Sequence, residues 1–214
     1  MSEKEKIKTK TKDRFDQVYW SIYLFNLSIS ELQIISNSDY NKTELKITNS
    51  HTFNFYRISL QYCIIMEYNK VLEEIKRGNK DQHISSLFQL NETVYFENKE
   101  SFLEQYSQNK DQINLIKKSP FYDKMKDLRD KKYAHADSHS INSPFDIKRF
   151  SDEDFCLAFE HLSQIKNILN RLTDQYDFEY DLKIPHRDKR TENLIKSHAQ
   201  HKDFYYKNHL LINR

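Results

Sequence analysis

A chain of 214 residues, 37% of them hydrophobic and 14% aromatic, is long enough to bury a core without disulfide or metal staples and too aromatic for a disordered polyelectrolyte. Its single glycine, Gly78, excludes dinucleotide and P-loop sites, which need several glycines so that backbone amides can approach phosphate. The net charge is only +2, and three prolines leave little turn punctuation for a strand-rich fold, so long helices are expected.

The N-terminal arm, residues 1–12, is charged and lacks an apolar signal region. No stretch of about 18 apolar residues follows anywhere, so a cytoplasmic protein that is neither exported nor membrane-spanning is expected. Phe15, Val18, Ile22, Phe25, Ile29 and Leu32 recur at steps of three and four, predicting an amphipathic helix over roughly Asp13 to Ser36. A polar connection over 37–48 leads to a second helix, apolar on most sides from Phe53 to Met66 and therefore central in a bundle. Lys76-Arg77-Gly78 reads as its cationic last turn and glycine cap.

Residues 79–98 carry weak signals, with a short helix around Ser86 to Leu90 and a further one starting near Glu100. Ser119-Pro120 is an N-cap followed by proline at the first helical position, opening a helix through Phe121, Met125 and Leu128 toward His135. Ser151-Asp152-Glu153-Asp154 caps a last helix carrying Phe155, Phe159, Leu162, Ile165, Leu169 and Leu172. The expected fold is all-α: an antiparallel bundle of about five helices over 13–180, followed by a tail over 181–214. From Lys183 onward eight Lys or Arg oppose three Asp or Glu, a net +5. Cys63 and Cys156 lie far apart without neighbouring cysteines and read as buried thiols in a reducing compartment. His198 and His201 are three apart but have no acidic or Cys partner at ligand spacing, so neither a metal nor another cofactor is expected.

The segment with chemical content is Leu128-Arg129-Asp130-Lys131-Lys132-Tyr133-Ala134-His135-Ala136-Asp137. At about 100° per residue His135 continues the stripe of Phe121, Met125 and Leu128, whereas Arg129 lies about 120° away around the cylinder. In one straight helix the two side chains do not touch. A joint role requires a helix that loosens near Ala134 or a second copy facing the first across a two-fold axis. By residue pattern alone, a helix-capping or core role for His135 and ordinary surface charge for Arg129 and Asp130 stand beside the catalytic reading.

The wording of this segment resembles the motif of HEPN proteins, helical-bundle dimers of toxin-antitoxin and abortive-infection systems: an Arg, a polar residue, and a His after four to six intervening residues. The Arg-Asp-Lys to Ala-His-Ala-Asp sequence is most similar to the abortive-infection, AbiU-like branch. The resemblance covers roughly residues 13–180. It implies a metal-independent endoribonuclease, a toxin of antiphage defence or of a toxin-antitoxin pair, with a composite site built from both motifs of a homodimer. Arg129 and His135 are then the catalytic pair, Asp130 and Tyr133 support them, and RNA and an antitoxin are the implied partners. The polar surface for RNA comprises Lys131 and Lys132 with Arg187, Lys189 and Arg190 of the tail, where basic and aromatic residues mix. A catalytically inactive RNA-binding or protein-docking module is the alternative. The branch that pairs with nucleotidyltransferase antitoxins often has Tyr two residues after the His; Asp137 stands there, so modification of that position is not implied.

Overall fold

A computed structural model describes residues 3–74, 86–130, 149–176, 178–183 and 188–212. Among them all regular structure is helical: α1 (Glu3–Ile35), α2 (Lys42–Thr48), α3 (His51–Leu72), α4 (Leu87–Glu97), α5 (Lys99–Lys117), α6 (Pro120–Leu128), α7 (Asp152–Thr173) and α8 (Asp188–Ile212). The count exceeds five because α2 and α8 form where a connection and a tail are expected, and the short helix expected around Ser86 to Leu90 is a full element, α4, separated from α5 at Asn98.

The predicted stripe of α1 is the spine of the core. Phe15, Val18, Ile22, Phe25 and Ile29 are all fully buried, and Leu32 is 1% exposed. The helix itself starts well before Asp13, inside the charged arm. Its main neighbour is α3. The Phe25 and Tyr68 rings lie 5.3 Å apart, whereas the Ile35 carbonyl accepts from Arg57 at 3.3 Å, so the two helices run antiparallel. Arg57 also donates to the Thr48 carbonyl at 3.1 Å, placing one buried cation at the carboxyl ends of α1 and α2.

α3 is less enclosed than its all-round apolar pattern predicts, since Phe55 is 71% exposed and Tyr62 46% exposed. It also stops early. Leu72 is its last residue, Glu73 is extended at φ −65° and ψ 134°, and the expected stop at Lys76-Arg77-Gly78 lies outside the described residues. From this non-helical exit, Glu73 and Glu74 form ion pairs with Arg129 and Lys117.

Caps account for the other boundaries. Ser86, Ser119 and Ser151 each accept a hydrogen bond from a backbone N–H of the first turn they open, and Ser151 and Asp154 form a reciprocal capping box. α2 has the same device in Asn41 and Glu44, and its Ile47 and Thr48 are buried. α7 buries Phe155, Leu162, Ile165, Leu169 and Leu172 as its stripe predicts. Cys156, one residue around from Phe155 and off that stripe, is exposed rather than buried, and Cys63 is half-buried.

After α7 the chain returns along α1 as a strap. Tyr180 donates to Asp16 at 2.6 Å, Tyr19 donates to the Asp181 carbonyl at 2.9 Å, and Asn26 donates to the Leu182 carbonyl at 3.0 Å. α8 then packs on α1 and α2, burying Ile195 and Ala199, so the basic tail carries a docked helix. No helix among the described residues is long and apolar enough to cross a membrane.

Candidate active site at the end of α6

α6 is a short helix with a strong beginning and an irregular end. Ser119 caps it, Pro120 presets its first turn, and Phe121 and Met125 bury one face against Tyr68 of α3 and its surroundings. Regular helix stops at Leu128, and Arg129 and Asp130 continue it in a widened, π-type turn; the expected continuation toward His135 lies outside the described residues. Buried Asn69 of α3 donates to the Met125 carbonyl at 3.0 Å, the same oxygen that takes the Arg129 backbone N–H.

The Arg129 guanidinium is half-buried between two carboxylates. Its Nε donates to Asp130 Oδ1 at 2.8 Å, and its Nη1 stands 3.7 Å from Glu73 Oε1, an ion pair longer than a hydrogen bond. Side-chain exposures of 24% for Arg129, 30% for Glu73 and 44% for Asp130 leave this cluster in contact with solvent. Exposed pairs of this kind contribute about 0–1 kcal/mol each. A phosphate, carrying charge and several acceptor oxygens, is therefore able to compete for the same guanidinium.

Two further ion pairs surround the region. Lys117 at the end of α5 pairs with Glu74 at 3.0 Å, and Lys124 of α6 reaches both oxygens of Asp154 at 2.6 Å. Burial pushes the Asp154 carboxyl upward, but hydrogen bonds from Lys124 and Ser151 outweigh it and leave its pKa below the ordinary value. The first pair ties the end of α5 to the exit of α3, and the second braces α6 against α7.

Of the sequence-derived residues, Arg129 and Asp130 stand together as described. His135, Tyr133, Lys131, Lys132 and Arg187 lie outside the described residues. Lys189 and Arg190 are exposed at the start of α8, away from Arg129. Thr191 of α8 and Tyr56 of α3 both donate to Glu31, so the start of α8 lies level with Tyr56. From Tyr56 to Glu73 along α3 is about 25 Å at the helical rise. Glu73 and Asn69 are the residues that sequence reasoning missed.

The described histidine nearest this region is His161 of α7, and it has a different character. It is 4% exposed, its Nδ1 meets the Tyr68 hydroxyl at 2.7 Å, and its ring stacks on Tyr68 at 6.0 Å. Burial lowers its pKa, with Glu160 opposing, and burial likewise raises that of Tyr68. It is a satisfied core histidine with no path to a substrate. His198 and His201 are exposed on α8, and no group of three or more His, Cys, Asp or Glu among the described residues is arranged to hold a metal ion. A cleft of about 650 Å³ between α1, α7 and the strap, lined by Asn26, Glu31, Lys166 and Lys183 among others, does not include Arg129.

Compared with known protein families, residues 5–191 match the family model HEPN_AbiU2, described as AbiU2. The match starts two residues into α1, takes in α2 to α7 and the whole Arg129 segment, and ends within the first turn of α8. No curated protein and no solved structure matches.

Proposed function

Because the chain belongs to the AbiU2 family of HEPN proteins, we propose that it is a metal-independent endoribonuclease, acting as a toxin in antiphage defence or in a toxin-antitoxin pair. The observation that carries this reading is Arg129: a half-buried guanidinium at the widened end of α6, held among the described residues by ion pairs to Glu73 and Asp130 with which a phosphate can compete.

The chemistry uses RNA's own nucleophile. His135 takes the proton from a 2′-hydroxyl, the 2′-oxygen bonds to the adjacent phosphorus, and the P–O5′ bond breaks, the leaving oxygen acquiring a proton. Negative charge grows on the phosphorane oxygens, where the planar fork of Arg129 stabilises it. An imidazole with an ordinary pKa near 6.5 suits both proton transfers at neutral pH. Asp130 takes Arg129 Nε as a supporting group. Tyr133, Lys131 and Lys132 follow in the same segment and contact the RNA strand.

A homodimer completes the site, the composite arrangement that the family resemblance implies, with Arg129 and His135 supplied by two facing copies of the segment. Exposed apolar surface stands at a suitable height for it. Counting five residues back from Phe25 and five forward from Tyr68 brings Trp20, 56% exposed, level with Glu73. Lys189, Arg190 and Arg187 extend the RNA path away from the reacting centre.

The substrate test is an RNA oligonucleotide in which the nucleotide 5′ to a mapped cut carries hydrogen in place of its 2′-hydroxyl. That bond should survive while neighbouring ribonucleotides are cut, and DNA should be spared throughout. Cleavage at the deoxy position contradicts the proposal. Sedimentation of the intact protein should give twice 26.0 kDa, and mixing inactive Arg129→Ala and His135→Ala chains should recover part of the lost activity through heterodimers. A monomer, or no recovery from exchanged subunits, removes the composite site.

A further inference from the structure

We infer that Glu73, together with Asn69 four residues before it, is a positioning residue that holds Arg129 ready to receive the scissile phosphate. The role presupposes the ribonuclease reading, in which Arg129 faces a phosphate. The geometry behind it does not.

Asn69 is 2% exposed, and its amide donates to its own helix at Ile65, 2.7 Å, and to the Met125 carbonyl, 3.0 Å. A leucine of similar size would fill that volume with no polar group to satisfy. The asparagine instead pins the carbonyl that also accepts the Arg129 backbone N–H, so α3 fixes the point from which the arginine side chain leaves α6. One turn further along α3, Glu73 reaches the other end of the same side chain at Nη1, while Asp130 takes Nε. Backbone and guanidinium are thereby held by residues spaced i and i+4 on one neighbouring helix, the second standing just where that helix ends.

A guanidinium is a planar fork, and its value to a phosphoryl transition state depends on the plane's orientation. Asp130, the next residue in the chain, cannot by itself set that plane against the rest of the bundle, because it moves with the same turn. Glu73 comes from a different element and supplies the external reference. It also places negative charge near the incoming phosphate, so its contribution to ground-state binding is unfavourable while its contribution to alignment is favourable. That opposition is what separates positioning from substrate contact.

The test uses full-length Glu73→Gln, Glu73→Ala and Glu73→Asp proteins, with steady-state kinetics on RNA and the side-chain Nε–H resonance of Arg129 by NMR. In Glu73→Gln we expect kcat to fall by about 10- to 100-fold, KM to stay level or decrease, and the Arg129 Nε–H signal to broaden. Glu73→Asp, which keeps the charge with a shorter reach, should recover part of kcat and should fold even where Glu73→Ala does not. Unchanged kcat with an unchanged Arg129 signal overturns the inference, and so does a raised KM at constant kcat. Should wild type lack nuclease activity while the Arg129 signal still loses order in Glu73→Gln, the positioning role stands and the ribonuclease reading fails.

Discussion

Two of the polar contacts that α3 and its C-cap make toward α6 and α7, five residues apart in sequence, have opposite physical characters. At Tyr68 the partner is His161, both groups are buried, their hydrogen bond is 2.7 Å long, and burial drives both toward their neutral forms. At Glu73 the partner is Arg129, both groups are charged, both touch solvent, and their separation is 3.7 Å. The first contact stabilises the fold and presents nothing to a ligand. The second contributes little stability and leaves a cation that a phosphate can take over. A titratable side chain near a motif is therefore weak support for chemistry; a charged one whose partners are easily exchanged is stronger.

That contrast predicts a separation of activity from stability. Arg129→Ala should lower RNA cleavage by about 10²- to 10⁴-fold while circular dichroism and Tm stay close to wild type, since exposed ion pairs contribute about 0–1 kcal/mol. His161→Leu should do the reverse. Removing the imidazole leaves the buried Tyr68 hydroxyl without that partner, at about 1–3 kcal/mol, or several degrees of Tm at about 2–4 °C per kcal/mol for a chain of this size. Its cleavage rate per folded molecule should match wild type. A large stability loss in Arg129→Ala, or an activity loss in folded His161→Leu, would break the comparison.

A smaller effect sharpens it through pH. Because burial holds the His161 pKa below its ordinary 6.5, the unfolded chain binds a proton that the folded chain refuses. Its contribution is complete above about pH 6.5 and declines as pH falls from there toward the folded value. The Tm of wild type should therefore drop between pH 7.5 and 5.5, and His161→Leu should show a flatter dependence over that interval. Equal slopes in the two proteins would mean that His161 is not the group responsible.

The smallest expected change concerns the far end of the molecule. Deleting the tail would strip Ile195 and Ala199 from the core, so the cleaner variants are Lys189→Gln and Arg190→Gln, both at exposed positions. Each should weaken RNA binding and lower the salt slope by about one unit, leaving cleavage at saturating RNA intact. An unchanged slope in both assigns α8 to another task.

Much of this architecture is legible from residue spacing because its causes are local. The α1 stripe, Ser119 with Pro120, and the Ser151 cap each act within a few residues of themselves. α2 was missed within the polar connection: its capping pair, Asn41 and Glu44, is local, but at seven residues the helix carries too little apolar periodicity to stand out. The end of α3 was not, because Glu73 leaves the helix toward a partner on α6. α8 was obscured by its charge: only Ile195 and Ala199 are buried along most of its length, too few for a clear stripe. In the candidate site, Arg129 and Asp130 came from the motif, whereas Asn69 meets Met125 across a sequence separation of 56 residues that no local pattern reveals.

The most direct test of the central claim is incubation of purified wild-type protein, beside Arg129→Ala and His135→Ala, with a mixed RNA pool in EDTA, followed by end-group analysis. The account predicts cleavage by wild type that leaves 2′,3′-cyclic phosphate or 3′-phosphate ends and is lost from both variants. RNA left intact by wild type, or cut equally by all three proteins, would contradict it.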